Sequence, residues 1–311
     1  MKEGYTALAE KYDVTFPPEG TESFTYDEVY DMLPEYDVLQ SVFSFKVDRA
    51  LLERGDPRLK LVCNYAVGYD NIDIVAAGEL GIAVANTPDP VTEPTAELAF
   101  GLITAVARRI SPMDRLIRDK GAIRRGLLDN LGYTLTGKTL GIVGMGRIGQ
   151  AIARRARAFG MDVVYFNRHR LDVAVESRYD AEYRPLDELL STSDVISINV
   201  PYSADTHHLI GAEQFALMKP SAIFVNTSRG PIVDEKALAG TLKEHRIFGA
   251  GLDVYEFDDT PSADLLKLDN VVLTPHLGTQ TYDTRIEMAL CVSRNIVNFF
   301  EGGPVSLVTK I

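Results

Sequence analysis

Three polar positions late in the chain, Arg229, His276 and a carboxylate somewhere in the stretch 253–258, are of the types that reduction of a ketone requires. Hydride transfer to a keto carbon calls for a cation to bind a neighbouring carboxylate and a proton donor for the developing alkoxide. It also needs a group that holds that donor in one tautomer. Arg229 follows the apolar run 223–226, the acidic stretch follows 249–252, and His276 follows 271–274. In an open parallel sheet the carboxyl ends of the strands line the ligand crevice, so the three positions are expected on one rim. Taken singly, Arg229 could serve a surface ion pair and His276, after Pro275, could be a core histidine. Their shared placement favours a site.

A second cluster is the turn Gly144-Met145-Gly146-Arg147-Ile148-Gly149, entered from the strand-like 140–143 and leaving into Gln150-Ala151-Ile152-Ala153. Glycines in this spacing permit a tight turn, let a pyrophosphate reach the backbone and allow close helix–strand packing, while the helix N-terminus supplies amides and a favourable dipole. A dinucleotide is the expected ligand. An acidic residue ending the next strand would accept from the adenosine ribose hydroxyls and repel a 2′-phosphate. Here that place is held by Asn167, followed by Arg168-His169-Arg170. A neutral amide removes the repulsion and a guanidinium can grip a phosphate with two parallel bonds, so NADP is favoured, with NAD as the alternative if Arg168 only stacks on adenine.

These residues need a scaffold, and the hydropathy pattern supplies one. Short β-branched runs at 138–143, 162–166, 194–200, 222–226, 249–254 and 271–273 alternate with helical segments, which predicts a parallel sheet covered on both faces. Runs at 38–43, 59–63 and 82–84, with a helix over 47–54, predict a second α/β unit. A long helix is expected over 92–109, interrupted by Ser111-Pro112, then a connecting arm over 120–137 and a final helix over 284–300 stopped by Glu301-Gly302-Gly303-Pro304. With 311 residues, 46% of them hydrophobic, two domains are the natural division.

Net charge of −12, from 32 basic and 44 acidic residues, repels nucleic acid and anionic lipid, so neither is expected as a partner. Cys63 and Cys291, far apart in apolar surroundings, read as buried reduced thiols rather than a disulfide or a metal site, and no metal is expected. No stretch resembles a signal peptide or a membrane span, which suits a cytoplasmic protein.

The chain resembles the D-isomer-specific 2-hydroxyacid dehydrogenases, above all their glyoxylate/hydroxypyruvate reductase branch. The resemblance runs through 64–73 (Asn-Tyr-Ala-Val-Gly-Tyr-Asp-Asn-Ile-Asp), Asn86-Thr87-Pro88, Thr95-Ala96-Glu97-Leu98 and the glycine turn. It continues in Asn226-Thr227-Ser228-Arg229-Gly230, Gly251-Leu252-Asp253-Val254 and Thr274-Pro275-His276-Leu277-Gly278. It implies an α/β fold of two Rossmann/flavodoxin-like domains, with a dinucleotide-binding domain, 96–283, inserted into a discontinuous substrate domain made of 1–95 and 284–311, and a cleft between them.

By the same resemblance, the backbone amides of Val67 and Gly68 hold the substrate carboxylate, Arg229 bridges carboxylate and keto oxygen, and His276 exchanges the proton. Arg147 and Ile148 cover the pyrophosphate, while Val200, Pro201, Thr206, Thr227, Ser228, Asp253 and Gly278 approach the nucleotide. The family usually has Glu five positions beyond its Asp253 match; here Asp258 stands there, one methylene shorter, and is taken as the partner of His276, with Glu256 as the substitute. Family members also open with a strand, whereas this chain begins on a helical pattern. The segment 111–137 implies a homodimer contact, and the loop 41–45 the substrate pocket. Glyoxylate and hydroxypyruvate are the expected keto acids. Rival readings are a nucleotide-sensing corepressor of the same fold, an NAD-dependent D-3-phosphoglycerate dehydrogenase and, more weakly, a formate dehydrogenase.

Overall fold

Most of the runs rich in Val, Ile and Leu become strands, and among the described residues there are ten strands whose every ladder is parallel. The computed structural model describes residues 2–121, 126–257 and 260–309. Two units emerge, one made of Met1–Val91 with Thr279–Ile311 and the other of Thr92–Gly278. The divides fall at 91/92 and 278/279 rather than at 95/96 and 283/284. The helix Thr92–Ala107 begins at the first of these, so a boundary at 95 would cut its first turn.

The smaller unit holds β1 (Val38–Val42), β2 (Leu61–Tyr65) and β3 (Ala83–Ala85) in the order β1-β2-β3. Strand β2, in the middle, is buried throughout, as a parallel strand covered on both faces must be. One face receives Leu51, Leu52, Ala76 and Ala77. The other receives Met288, Ala289, Val292 and Ile296 from the helix Tyr282–Glu301. That helix is capped by Thr281, which accepts from the Thr284 amide, and stops at Gly302, whose φ of +78° is costly for a side chain. The chain starts on short helical turns, Lys2–Tyr5 and Thr6–Ala9, and Ser293 Oγ donates to Gly4 O at 2.7 Å. Among the described residues no strand precedes β1, which is an edge of this sheet with Gln40 exposed.

The larger unit carries β4 (Thr139–Val143), β5 (Asp162–Phe166), β6 (Ala181–Tyr183), β7 (Val195–Ile198), β8 (Ile223–Asn226), β9 (Gly249–Leu252) and β10 (Val271–Leu273). Their order is β10-β9-β8-β7-β4-β5-β6. The chain works outward from β4 to β6 and then returns to build the other arm from β7. The topological switch therefore lies between β4 and β7, where open α/β sheets place their ligands. Helices Thr92–Ala107 and Arg147–Ala158 cover one face through Ala99, Ile103, Val106 and Ile152; Phe215, Leu238 and Leu242 cover the other.

One local expectation needed correction, and one strand had no counterpart in the sequence pattern. The helix expected over 92–109 stops at Ala107, and Arg109, at φ +53°, makes the break. Pro112 then lies in the first turn of the next helix, Ile110–Lys120, where its missing N–H costs nothing. Strand β6, three residues with Glu182 at its centre, is too short and too polar to show as an apolar run.

Behind β5, the Tyr165 hydroxyl donates to Glu176 at 2.6 Å and accepts from the Leu171 amide at 2.9 Å, while Arg170 grips the same carboxylate at 2.8 and 2.9 Å. The Arg170 guanidinium, and then the Tyr165 hydroxyl, hold the Glu176 carboxyl at about 2. A carboxyl depressed in the folded state stabilises it above the ordinary value of 4.5 and loses that contribution as pH falls toward about 2. Glu176→Gln should therefore flatten the acid limb of stability over that window, measured as the urea midpoint against pH.

Candidate active site

Because all seven strands of the larger sheet run parallel, their carboxyl ends form one edge. Along it the segments follow as His276 after β10, Asp253 after β9, Arg229 after β8, Val200 and Pro201 after β7, Gly144 after β4 and Asn167 after β5. The proton-exchanging and cationic candidates thus lie on one arm and the glycine turn lies at the switch. Asn167 and Arg168 are on the other arm.

Each glycine of the turn has its own cause. Gly144 has φ +99°, and a Cβ there would meet the Asn199 carbonyl carbon at 2.7 Å. A Cβ on Gly149 would come within 2.4 Å of Gly144 O, so this glycine lets the helix Arg147–Ala158 press against the turn. At Gly146, by contrast, a Cβ would meet nothing within 4 Å. Gly146 is also the N-cap of that helix and no side chain caps it. A helix start with open space at its uncapped first position fits a pyrophosphate. Arg147 is exposed and Ile148 half-buried at the start of the same helix.

Asn167 does more than remove a charge. Its Oδ1 accepts from the Met145 amide at 2.7 Å, tying the end of β5 to the glycine turn. Of the arginines that follow, Arg170 is committed to Glu176, whereas Arg168 is 81% exposed and has only a loose contact to Asp205 at 3.9 Å. Thr206 is bound within its own turn: its hydroxyl accepts from the Ser203 amide at 2.8 Å and donates to Pro201 O at 2.9 Å.

On the arm that carries Arg229 and His276, Asn226 braces the loop that carries Arg229. Its Nδ2 donates to Arg229 O at 3.0 Å and its Oδ1 accepts from the Ser228 amide at 3.0 Å. Ser228 Oγ donates to Val200 O, linking this loop to the end of β7, and Thr227 Oγ1 is buried. Gly230 is required next, since a Cβ there would overlap Tyr255 O at 1.7 Å.

His276 has φ +54°, a left-handed conformation uncommon for a residue with a side chain. Asp253, 1% exposed, holds the segment around it. Its Oδ1 accepts from Thr274 Oγ1 at 2.6 Å and from the Leu277 amide at 2.7 Å, and its Oδ2 accepts from the Gly278 amide at 3.0 Å. The His276 amide donates to Asp253 O at 2.9 Å. Burial pushes the Asp253 carboxyl above its ordinary value, against the pull of these donors and of the nearby His276 charge. Asp253 is thus seen holding the loop that carries His276.

Asp258 lies outside the described residues. The substitute, Glu256, is engaged elsewhere: Oε1 meets His208 Nε2 at 2.5 Å and Oε2 accepts from the Glu235 amide at 2.9 Å. In the smaller unit, Val67 and Gly68 follow β2 directly, with Val67 O accepting from Asn86 and Gly68 O from Asn64. The bracing asparagines and the His208–Glu256 pair had no role assigned from the sequence. The one available signal was an Asn at a strand end just before a loop, where such side chains bond to nearby backbone.

The model of the D-isomer specific 2-hydroxyacid dehydrogenase NAD binding domain matches residues 100–278. The chain belongs to the D-isomer specific 2-hydroxyacid dehydrogenase family. It is 47% identical over 303 residues to a glyoxylate reductase of Thermococcus litoralis, an alignment covering 96% of this chain and 89% of that one. Its fold is similar to a glyoxylate reductase from Paecilomyes thermophila, at TM-score 0.88 and 36% identity, covering 99% and 94% of the two chains. It is also similar to an acyclic imino acid reductase in complex with NADPH and D-Arg, at TM-score 0.86 and 30% identity, covering 98% and 95%.

The protein is therefore an NAD(P)-dependent 2-hydroxyacid dehydrogenase, and the glycine turn belongs to its nicotinamide-nucleotide domain. Among the described residues, no helix of this dehydrogenase is long and apolar enough to cross a membrane. Asp253→Asn should leave at least one of Thr274, Leu277 and Gly278 without its acceptor. It should cost about 1–3 kcal/mol of stability and lower kcat roughly tenfold or more as the His276 loop relaxes, read by urea denaturation and steady-state kinetics.

Proposed function

We propose that this dehydrogenase reduces glyoxylate, hydroxypyruvate or a similarly small 2-keto acid to the D-2-hydroxy acid, with NADPH preferred over NADH. The observation that carries the cofactor preference is the end of β5. No carboxylate stands there, Asn167 turns its oxygen inward to Met145, and Arg168 presents an exposed guanidinium. A 2′-phosphate meets no repulsion at such a position and gains a planar cation. The identity to glyoxylate reductases supports the choice of small keto acids.

A nicotinamide dinucleotide, its pyrophosphate held by the glycine turn, would supply the hydride when bound. The chain does the rest. Arg229, on the loop braced by Asn226, binds the carboxylate and polarises the keto oxygen. The amides of Val67 and Gly68 take the carboxylate as well. His276, fixed by Asp253, delivers a proton to the oxygen as negative charge builds there. Asp258 is assigned as the carboxylate that orients the imidazole, and the engagement of Glu256 with His208 supports that choice over its neighbour.

A homodimer is part of the same reading. The segment 111–137 and its flank expose Ile110, Ile117, Leu127, Leu128 and Leu131, a concentration of apolar side chains that a second copy would cover. Sedimentation equilibrium should return twice the chain mass; a monomer mass would remove this assignment. For the cofactor, oxidation of NADPH and NADH is to be compared with glyoxylate, hydroxypyruvate, pyruvate and 2-ketoisocaproate. NADPH should be used with the higher kcat/KM, and Arg168→Ala should lower that value by roughly tenfold, the worth of one charged contact, while leaving NADH nearly unchanged. Equal use of both cofactors by the unaltered enzyme would refute the preference.

A further inference from the structure

Val67 and Gly68 sit on a short loop whose carbonyls are all held from behind. The Ala66 carbonyl accepts from the Thr87 amide at 3.0 Å, the Val67 carbonyl from Asn86 Nδ2 at 2.8 Å, and the Gly68 carbonyl from Asn64 Nδ2 at 2.7 Å. A trans peptide points its N–H opposite to its C=O, so fixing one fixes the other. The carbonyls of Ala66 and Val67 face the same two-residue segment, 86–87. The amides of Val67 and Gly68 must therefore face together in the opposite direction. Among the described residues neither amide has a protein acceptor.

The holders are themselves held. Asn295, buried in the helix Tyr282–Glu301, donates from Nδ2 to Asn86 O at 2.9 Å and accepts at Oδ1 from the Ser306 amide at 3.2 Å. The Asn86 amide in turn donates to Ser306 O at 3.1 Å. Asn64, fully buried, accepts from Ser41 Oγ at 2.8 Å, and its Nδ2 also reaches Asn71 Oδ1 at 3.2 Å. Asn71 then donates to Val42 O at 3.1 Å and Phe45 O at 2.9 Å. Buried amide side chains with this many partners are expensive to leave unmatched, and the network is correspondingly stiff.

We propose that Asn86, anchored by Asn295, and Asn64 are positioning residues for substrate: they preset the paired Val67 and Gly68 amides as donors to the carboxylate of the keto acid. This inference rests on the assignment of those amides to the substrate carboxylate. None of the three asparagines touches substrate. Their effect is to remove the reorientation that a mobile loop would need on each binding event, so it falls on substrate affinity rather than on cofactor affinity.

The test compares the unaltered enzyme with Asn86→Ala, with Asn86→Asp, which keeps the size but removes the donor, and with Asn295→Ala. For each, the KM and kcat for glyoxylate at saturating NADPH, the Kd of oxalate for the NADPH complex by calorimetry, the NADPH Kd by fluorescence and the Tm are measured. The expected result is a rise of roughly tenfold in glyoxylate KM and oxalate Kd for both Asn86 variants, a smaller rise for Asn295→Ala, kcat changed by much less, and NADPH affinity unaltered. An unchanged oxalate Kd in the folded variants overturns the proposal, as does a loss of NADPH affinity in step with oxalate. Should the Asn86→Ala chain not fold, Asn86→Asp and Asn295→Ala decide alone. Absence of keto-acid turnover in the unaltered enzyme would count against the proposed function, whereas oxalate binding still judges the asparagines.

Discussion

A carboxylate shut away from water binds together the arm of the sheet that carries His276. Asp253 receives a hydroxyl and two backbone amides from the passage between β10 and the final helix, while its own carbonyl receives the amide of His276. Burying such a group is unfavourable unless its oxygens are filled. Between the donors that fill them stands His276, in a left-handed backbone conformation. The neighbouring loop depends on the same region: Tyr255, two residues after Asp253, reaches Thr274 O with its hydroxyl and leaves room only for a glycine at 230. The arginine and histidine loops are therefore coupled through Tyr255 rather than held separately.

The nucleotide end of the sheet works by a different device. There the structure leaves room: no side chain caps the helix at Gly146, and the Arg168 guanidinium is exposed. What is fixed is the frame, through the Asn167–Met145 bond and the Arg170–Glu176–Tyr165 cluster that holds the segment after β5. A ligand of several negative charges can approach such an edge although the chain as a whole carries a net charge of −12.

Legibility in the sequence followed the range of the interactions. Strands β5 and β10 and the glycine turn could be read directly, because hydrophobic runs and glycine requirements are set by a few adjacent residues. The chain break at Arg109 was displaced to Ser111-Pro112, since proline is the more visible signal while a left-handed arginine has none. Strand β6 was invisible because its pairing with β5, not its composition, makes it a strand. The bracing of Val67 by Asn86 and of Asn86 by Asn295 joins residues as much as 209 positions apart, and no local pattern encodes that. Spacing favoured Asp258 over Glu256 as the partner of His276, but it could not say where Glu256 points. Only the fold shows that Glu256 faces His208.

The bracket behind Val67 and Gly68 consists of amides, with no acid or base in the bonds that aim the loop. Amides do not titrate. The loop of Val67 and Gly68 therefore keeps one shape from mildly acidic to mildly alkaline solution, and in its proposed role any response of carboxylate capture to acidity would originate outside the loop.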